Sequence, residues 1–180
     1  MLRPLLRATL TVLLLISSNA WAGTVLVWGD SLSAGYGLRP EQAWPSLLAK
    51  RLGDSRSKHQ VVNASISGET TAGGRARLAS LLRQHEPGIL ILELGGNDAL
   101  RGLALQSTQQ NLEVMIKAAR EAGAQVLLVG MQVPPNYGTD YANKFAGLFT
   151  SVAQAHSGTI GRHSLRSTGR SSGCGESSGG

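Results

Sequence analysis

Three short segments hold the residue types that acyl transfer requires: Gly29-Asp30-Ser31-Leu32-Ser33, Ser67-Gly68-Glu69 and Gly95-Gly96-Asn97-Asp98. A serine hydroxyl can attack an ester carbonyl, and the tetrahedral oxyanion that follows needs donors already aimed at it. Ser31 and Gly68 can each offer a backbone N–H, and glycine allows close approach because it has no side chain. Asn97 can add its side-chain amide. Each residue also has a purely structural use: a serine after a strand often caps a helix, and Gly68 and Asn97 are common turn formers. Their shared placement in the chain argues for chemistry.

That placement follows from the surrounding elements. Thr24 to Trp28, Gln60 to Ser65, Gly88 to Leu94 and Gln125 to Gly130 are short β-branched or leucine-rich runs, as strands buried on both faces require. Helical spacing separates them. Trp44, Leu47, Leu48 and Leu52 share a face and Gly53 stops that segment; Leu78, Leu81 and Leu82 mark a second helix. Leu112, Met115, Ile116 and Ala119 stripe a third, with Ser107 and Gln110 as a capping box and Gly123 as its stop. Tyr141, Phe145, Leu148, Phe149 and Val152 mark a fourth. Alternating strands and helices predict an α/β fold, a parallel sheet with helices on both faces. Ser31, Gly68 and Asn97 each stand three residues past a strand, so all three open onto the carboxyl-end rim, where ligands bind in such sheets.

The ends of the chain read differently from this body. Arg3 and Arg7, an apolar run from Ala8 to Ile16 and Ser-Ser-Asn-Ala-Trp-Ala form a signal peptide over residues 1–22, too short to span a bilayer. The expectation is export to the periplasm or the medium, with no stable membrane anchor after its removal. The formal net charge of +6 includes two arginines of this leader and the arginines of the last 22 residues, so the body is near neutral and shows no nucleic-acid-binding patch. Cys174 is the only cysteine, which leaves stability to the core. From Thr159 to Gly180 six Gly and six Ser accompany only Ile160 and Leu165 as large apolar groups, and the segment reads as an atypical, disordered tail after a domain spanning 23–158.

Gly29-Asp30-Ser31-Leu32-Ser33, Asn63 to Gly68 and Gly95-Gly96-Asn97-Asp98 resemble the first three blocks of the SGNH, or GDS(L), hydrolase family, and Met131 to Gly138 is similar to a later loop of its bacterial periplasmic thioesterase, arylesterase and lysophospholipase group. The resemblance runs from about Thr24 to about His156. It implies a three-layer α/β/α sandwich with a five-stranded, flavodoxin-like parallel sheet, and hydrolysis of carboxylic esters and thioesters without metal or cofactor. It implies Ser31 as nucleophile, with the Ser31 amide, the Gly68 amide and the Asn97 side chain as the oxyanion hole. The family closes with Asp-x-x-His, whose histidine is the general base, and this chain has no such motif. His59 and His85 precede strands and His156 ends a helix, which places them at the far end of the sheet; only His163 can reach the rim, with Ile160 where Asp belongs and Ser164 in place of Pro. The fifth strand and last helix are expected to be missing, through either a shortened domain or a change of reading frame near Ser157.

Two rival readings remain open. A nucleotide-binding module would share the alternating pattern, but Gly35 to Pro40 lacks the third glycine of a dinucleotide fingerprint and Gly68 to Arg75 lacks Gly-Lys-Ser/Thr. An acyl-ligand-binding pseudoenzyme would follow from loss of the base. No pair of histidines or carboxylates shows metal-ligand spacing on one face. The sequence therefore predicts an exported serine esterase acting on small-molecule aryl or short to medium acyl esters, and thioesters or lysophospholipids as further substrates. It does not specify the oligomeric state.

Overall fold

A computed structural model describes residues 23–55, 57–156 and 159–162. Five strands, β1 (Thr24–Gly29), β2 (Gln60–Asn63), β3 (Ile89–Glu93), β4 (Gln125–Gly130) and β5 (Thr159–Arg162), form one sheet in the order β2-β1-β3-β4-β5. Every neighbouring pair is parallel. The helices are α1 (Ser31–Ala34), α2 (Trp44–Asp54), α3 (Thr71–His85), α4 (Gly96–Leu100), α5 (Leu105–Glu121) and α6 (Thr139–Ala155).

The strand sequences explain the layering. Because side chains alternate across a strand, Leu26, Trp28, Leu90, Leu92 and Leu128 face one side, where they pack with Leu78 and Leu82 of α3, Leu112, Met115 and Ile116 of α5, and Phe145, Phe149 and Val152 of α6. Phe145 and Phe149 meet edge to face with centroids 5.2 Å apart. Val25, Val27 and Ile91 face the other side, against Trp44, Leu48 and Leu52 of α2. Helices therefore cover both faces. The second face is thinner: Leu127 and Val129 of β4 are only half-buried there.

Three expectations need correction, the simplest being that α2 runs through Gly53 to Asp54, so Gly53 does not stop it. Thr159–Arg162 is a fifth strand, paired in register from Leu127↔Thr159 to Gly130↔Arg162, although no strand was expected there. The outer edge of β4 would otherwise present a row of unpaired N–H and C=O groups, and backbone pairing satisfies them without any alternating side-chain pattern. The sheet thus runs past the expected domain boundary at 158. The leader 1–22, His163 and the place of the expected missing last helix lie outside the described residues. The third correction concerns α5, which starts at Leu105 with Ala104 as its cap, so Ser107 and Gln110 are interior positions and form no capping box.

Candidate active site

The reversal of strand order between β1 and β3 opens a crevice at their carboxyl ends. β1 ends at Gly29 and the chain turns directly into α1, whose first residue is Ser31. Asp30 caps this helix, its Oδ1 accepting the Leu32 N–H at 3.0 Å. The Ser31 N–H lies in the first turn, where a helix supplies no acceptor of its own. Gly29 is required by close approach: a Cβ there would lie 2.5 Å from Glu93 Oε2 and 2.7 Å from Ser33 Oγ.

Asn97 is the second residue of α4, after β3. Its Nδ2 donates to Asp30 Oδ2 at 3.1 Å and to the Glu69 carbonyl at 3.0 Å. One carboxylate therefore joins the serine turn to the asparagine, and both amide hydrogens already have protein acceptors. Gly68 sits in the loop after β2 at φ +80°, in the left-handed region that favours glycine. That loop is stitched to β1 through Ala64 N–H to Val27 O (3.0 Å) and Ile66 N–H to Gly29 O (3.1 Å). The Arg101 guanidinium donates to the Gly68 carbonyl at 2.8 Å. Glu69 is held in turn by an ion pair with Arg77, whose guanidinium stacks 4.5 Å from the Trp28 ring.

Ser31 and Asn97 line one cleft of about 240 Å³, together with Asp30, Gly96, Gln132 and the apolar groups Leu32, Leu100, Met131, Val133, Pro134 and Phe145. Gly68 is not part of its wall, and reaches it only through the neighbouring Glu69 carbonyl that Asn97 holds. The arrangement offers a hydroxyl at a helix start beside an amide donor, in a concavity suited to an acyl or aryl group. None of the described histidines lines this cleft. His59 lines a separate one at the amino ends of the strands, with Gly23, Gly88, Ile89, Gly123 and Gln125.

Buried carboxyls stand behind the cleft. Asp98 accepts the Thr71 N–H at 2.9 Å, the Thr71 hydroxyl and the Thr108 hydroxyl, and so locks α4 to α3 and α5. Burial pushes the Asp30 carboxyl above its ordinary pKa against the hydrogen bonds from Leu32 and Asn97, with Asp98 adding repulsion. Glu93, at the end of β3, accepts the Ser33 hydroxyl and is 3% exposed. Burial, reinforced by the Asp30 charge, raises it to about 7.

Sequence reasoning had singled out Ser31, Gly68 and Asn97 but had assigned no role to Asp30, Glu69, Glu93 or Asp98. Two signals were available. Asp is a preferred helix cap and directly precedes Ser31. Glu93 interrupts an otherwise apolar run, Gly88-Ile-Leu-Ile-Leu-Glu-Leu94, in a strand expected to be buried.

Known proteins share this frame. The chain is 50% identical over 152 residues to the esterase TesA of Pseudomonas aeruginosa, covering 84% of this chain and 76% of that one. It is 44% identical over 145 residues to thioesterase 1/protease 1/lysophospholipase L1 of Escherichia coli K12, covering 81% and 68%. Among solved structures, the psychrotrophic esterase EstA from Pseudoalteromonas sp., inhibited by monoethylphosphonate, superposes with a TM-score of 0.75 at 39% identity, over 78% of this chain and 77% of that one. The model of the GDSL-like lipase/acylhydrolase family matches residues 27–161, a span that begins inside β1, takes in all three segments of the rim and ends inside β5, and the chain belongs to that family.

Proposed function

We propose that this protein is an exported carboxylic ester hydrolase that works through an acyl-Ser31 intermediate. The observation that carries this reading is the meeting of Ser31 and Asn97 in one apolar cleft at the strand-order switch point. The Ser31 Oγ attacks the carbonyl carbon, and the carbonyl oxygen takes up the negative charge. The Ser31 amide and the Asn97 Nδ2, which line the cleft, are its donors, and the Gly68 amide, outside the wall, joins them only by an inward movement of its loop; Asn97 reaches the oxyanion by sharing or releasing one of its two present acceptors. Collapse of the intermediate breaks the carbonyl–oxygen bond of the ester, the leaving alkoxide takes up the proton given up by Ser31 and departs as the alcohol, and water then hydrolyses the acyl-serine to the free acid, returning a proton to Ser31. The cleft volume and its six apolar walls suit aryl and short to medium acyl groups, and thioesters fit the same geometry because the attacked carbon is unchanged. The relatives named esterase, thioesterase and lysophospholipase support the class. Export rests on the leader pattern of residues 1–22. No helix among the described residues is long and apolar enough to cross a membrane.

A second reading is favoured by one observation: among the described residues no histidine lines the cleft, so no imidazole there takes the serine proton. On that reading the cleft holds acyl ligands with weakened turnover. A chain-length series of nitrophenyl esters on wild type and Ser31→Ala, with a fluorophosphonate probe alongside, separates the two. Ser31-dependent labelling and hydrolysis support the enzyme. Ligand binding without labelling at high probe concentration supports the pseudoenzyme.

A further inference from the structure

The esterase reading leaves Glu93 without a task, although this carboxyl lies directly beneath the turn that carries Ser31. A charged residue type at the end of a central strand, with no cation beside it, is costly unless it holds something in place. Among the described residues no Lys, Arg or His pairs with Glu93. Its Oε2 accepts the Ser33 hydroxyl, the backbone amides of Asp30 and Ser33 face the same carboxyl, and its Oε1 has no partner. Gly29 has no Cβ because the Glu93 carboxyl and Ser33 occupy that space. Ser33 is further tied to the loop after β2 by the Asn63 Nδ2, which donates to its carbonyl at 2.8 Å.

Among the described residues the charges that act on this group and its neighbour are of one sign. Asp30 faces Glu93 from the turn after β1, Asp98 of α4 acts on Asp30, and Tyr141 of α6 faces Asp98. Asp30 is also the acceptor that holds both the Leu32 N–H and the Asn97 amide. A negative charge on Glu93 therefore bears on the one carboxylate that joins the nucleophile turn to the oxyanion donor.

We propose that Glu93 is a positioning residue for the Ser31 and Asn97 site: its buried carboxyl fixes α1 through Ser33, and its ionisation, acting through Asp30, alters how firmly the Asn97 amide is held. Loss of its proton to solvent adds a negative charge that repels Asp30, and Asp30 yields either by moving or by a weaker grip on its two donors. The inference rests on the esterase reading for its catalytic meaning but not for its first test. Burial gives the ionisation a midpoint of about 7, so ordinary buffers span it.

The test uses the full chain and Glu93→Gln, which keeps an acceptor for Ser33 and removes the titration. Nuclear magnetic resonance follows the backbone amides of Ser31 and Ser33 and the Asn97 side-chain amide from pH 5 to 9. In wild type these resonances move together with a midpoint near that of Glu93, and in Glu93→Gln they do not. An Asn97 amide that does not titrate in wild type, or that titrates equally in Glu93→Gln, overturns the proposal. Turnover of a soluble nitrophenyl ester is the second readout. Since a misplacement of ~1 Å can cost about 100-fold, Glu93→Ala should lower kcat about 10-fold with KM nearly unchanged. Glu93→Gln should stay within about threefold of wild type below neutrality and exceed it at higher pH. Identical pH profiles for wild type and Glu93→Gln would also overturn it. Coupled resonances without Ser31-dependent hydrolysis would sink the esterase reading and leave the coupling standing.

Discussion

The two ends of the sheet carry clefts of nearly equal size, about 240 Å³ at the carboxyl ends of the strands and about 230 Å³ at the amino ends. The first holds Ser31, Asn97 and the Asp30 carboxylate within apolar walls. The second holds His59 among three glycines, Ile89 and Gln125. Volume does not tell them apart. What differs is convergence: three loops at the carboxyl end are hydrogen-bonded to one another, through Asn97 to Asp30, Asn97 to Glu69 and Ile66 to Gly29. At the amino end the His59 ring, beside Gly23, hydrogen-bonds within its own loop, its Nδ1 lying 2.8 Å from Ser57 Oγ.

The largest expected effect tests whether chemistry belongs to one end alone. Ser31→Ala removes the only hydroxyl that lines the carboxyl-end cleft among the described residues, and loss of a serine nucleophile costs on the order of 10⁶-fold in kcat where a complete triad operates. Hydrolysis of nitrophenyl butyrate should fall to the uncatalysed background while the far-ultraviolet circular dichroism stays that of wild type. Retained hydrolysis would place the reaction elsewhere. Asn97→Ala comes next, because removal of one oxyanion donor costs about 3 to 4 kcal/mol of transition-state stabilisation. That corresponds to a fall of about 10²- to 10³-fold in kcat, with KM changed far less.

The contrast was partly legible in the sequence. The expected three-residue offset does not hold, since Ser31, Gly68 and Asn97 follow the strand ends at Gly29, Asn63 and Glu93 by two, five and four residues; what the sequence does indicate is that each follows the carboxyl end of a strand, while His59 precedes β2. The short helices α1 and α4 were not legible: four or five residues carry no periodicity, and their starts are fixed by contacts between distant segments, Asp30 with Asn97 and Thr71 with Asp98. Nor was β5, since backbone pairing along the β4 edge leaves no mark in side-chain patterning. Glu93 was visible as a charge in an apolar strand. Its partner Ser33 is 60 positions away in the chain, and only the folded sheet brings them together.

Glu93 also makes the carboxyl end sensitive to pH. Its folded pKa, about 7, lies above the ordinary 4.5, so the folded state binds the proton more tightly than the unfolded chain. Below about 4.5 both states are protonated and the group is neutral to stability. As pH rises from there to about 7, stability falls, and above 7 the loss is complete. At 1.36 kcal/mol per unit the total is about 3 kcal/mol. Urea denaturation at steps between pH 4.5 and 8 should show that decline in wild type and a flatter course in Glu93→Gln. Equal slopes would mean that the carboxyl is not buried as described. Gly29→Ala acts on the same packing from the other side. Its Cβ would meet Glu93 and Ser33, and overpacking of this kind costs typically 1–3 kcal/mol. A fall in the urea midpoint without a change in slope is the expected result, and an unchanged midpoint would show that Glu93 has room to withdraw.

The smallest effect is the sharpest test of the division between the ends. Among the described residues His59 is the only histidine lining either cleft, and a histidine near a pocket is the group most readily assigned to general base catalysis. Its position at the start of β2, on the far side of the sheet from Ser31, excludes direct proton transfer, for which heavy atoms must approach to about 3 Å. Its hydrogen-bond partner, Ser57, is two residues away and belongs to the same loop. His59→Gln therefore removes a local contact and nothing that the carboxyl end uses. Hydrolysis should stay within about twofold of wild type across pH 6 to 9, and stability within ~1 kcal/mol, as for a partly exposed loop position. A loss comparable to that of Asn97→Ala would mean that the two ends communicate through the sheet.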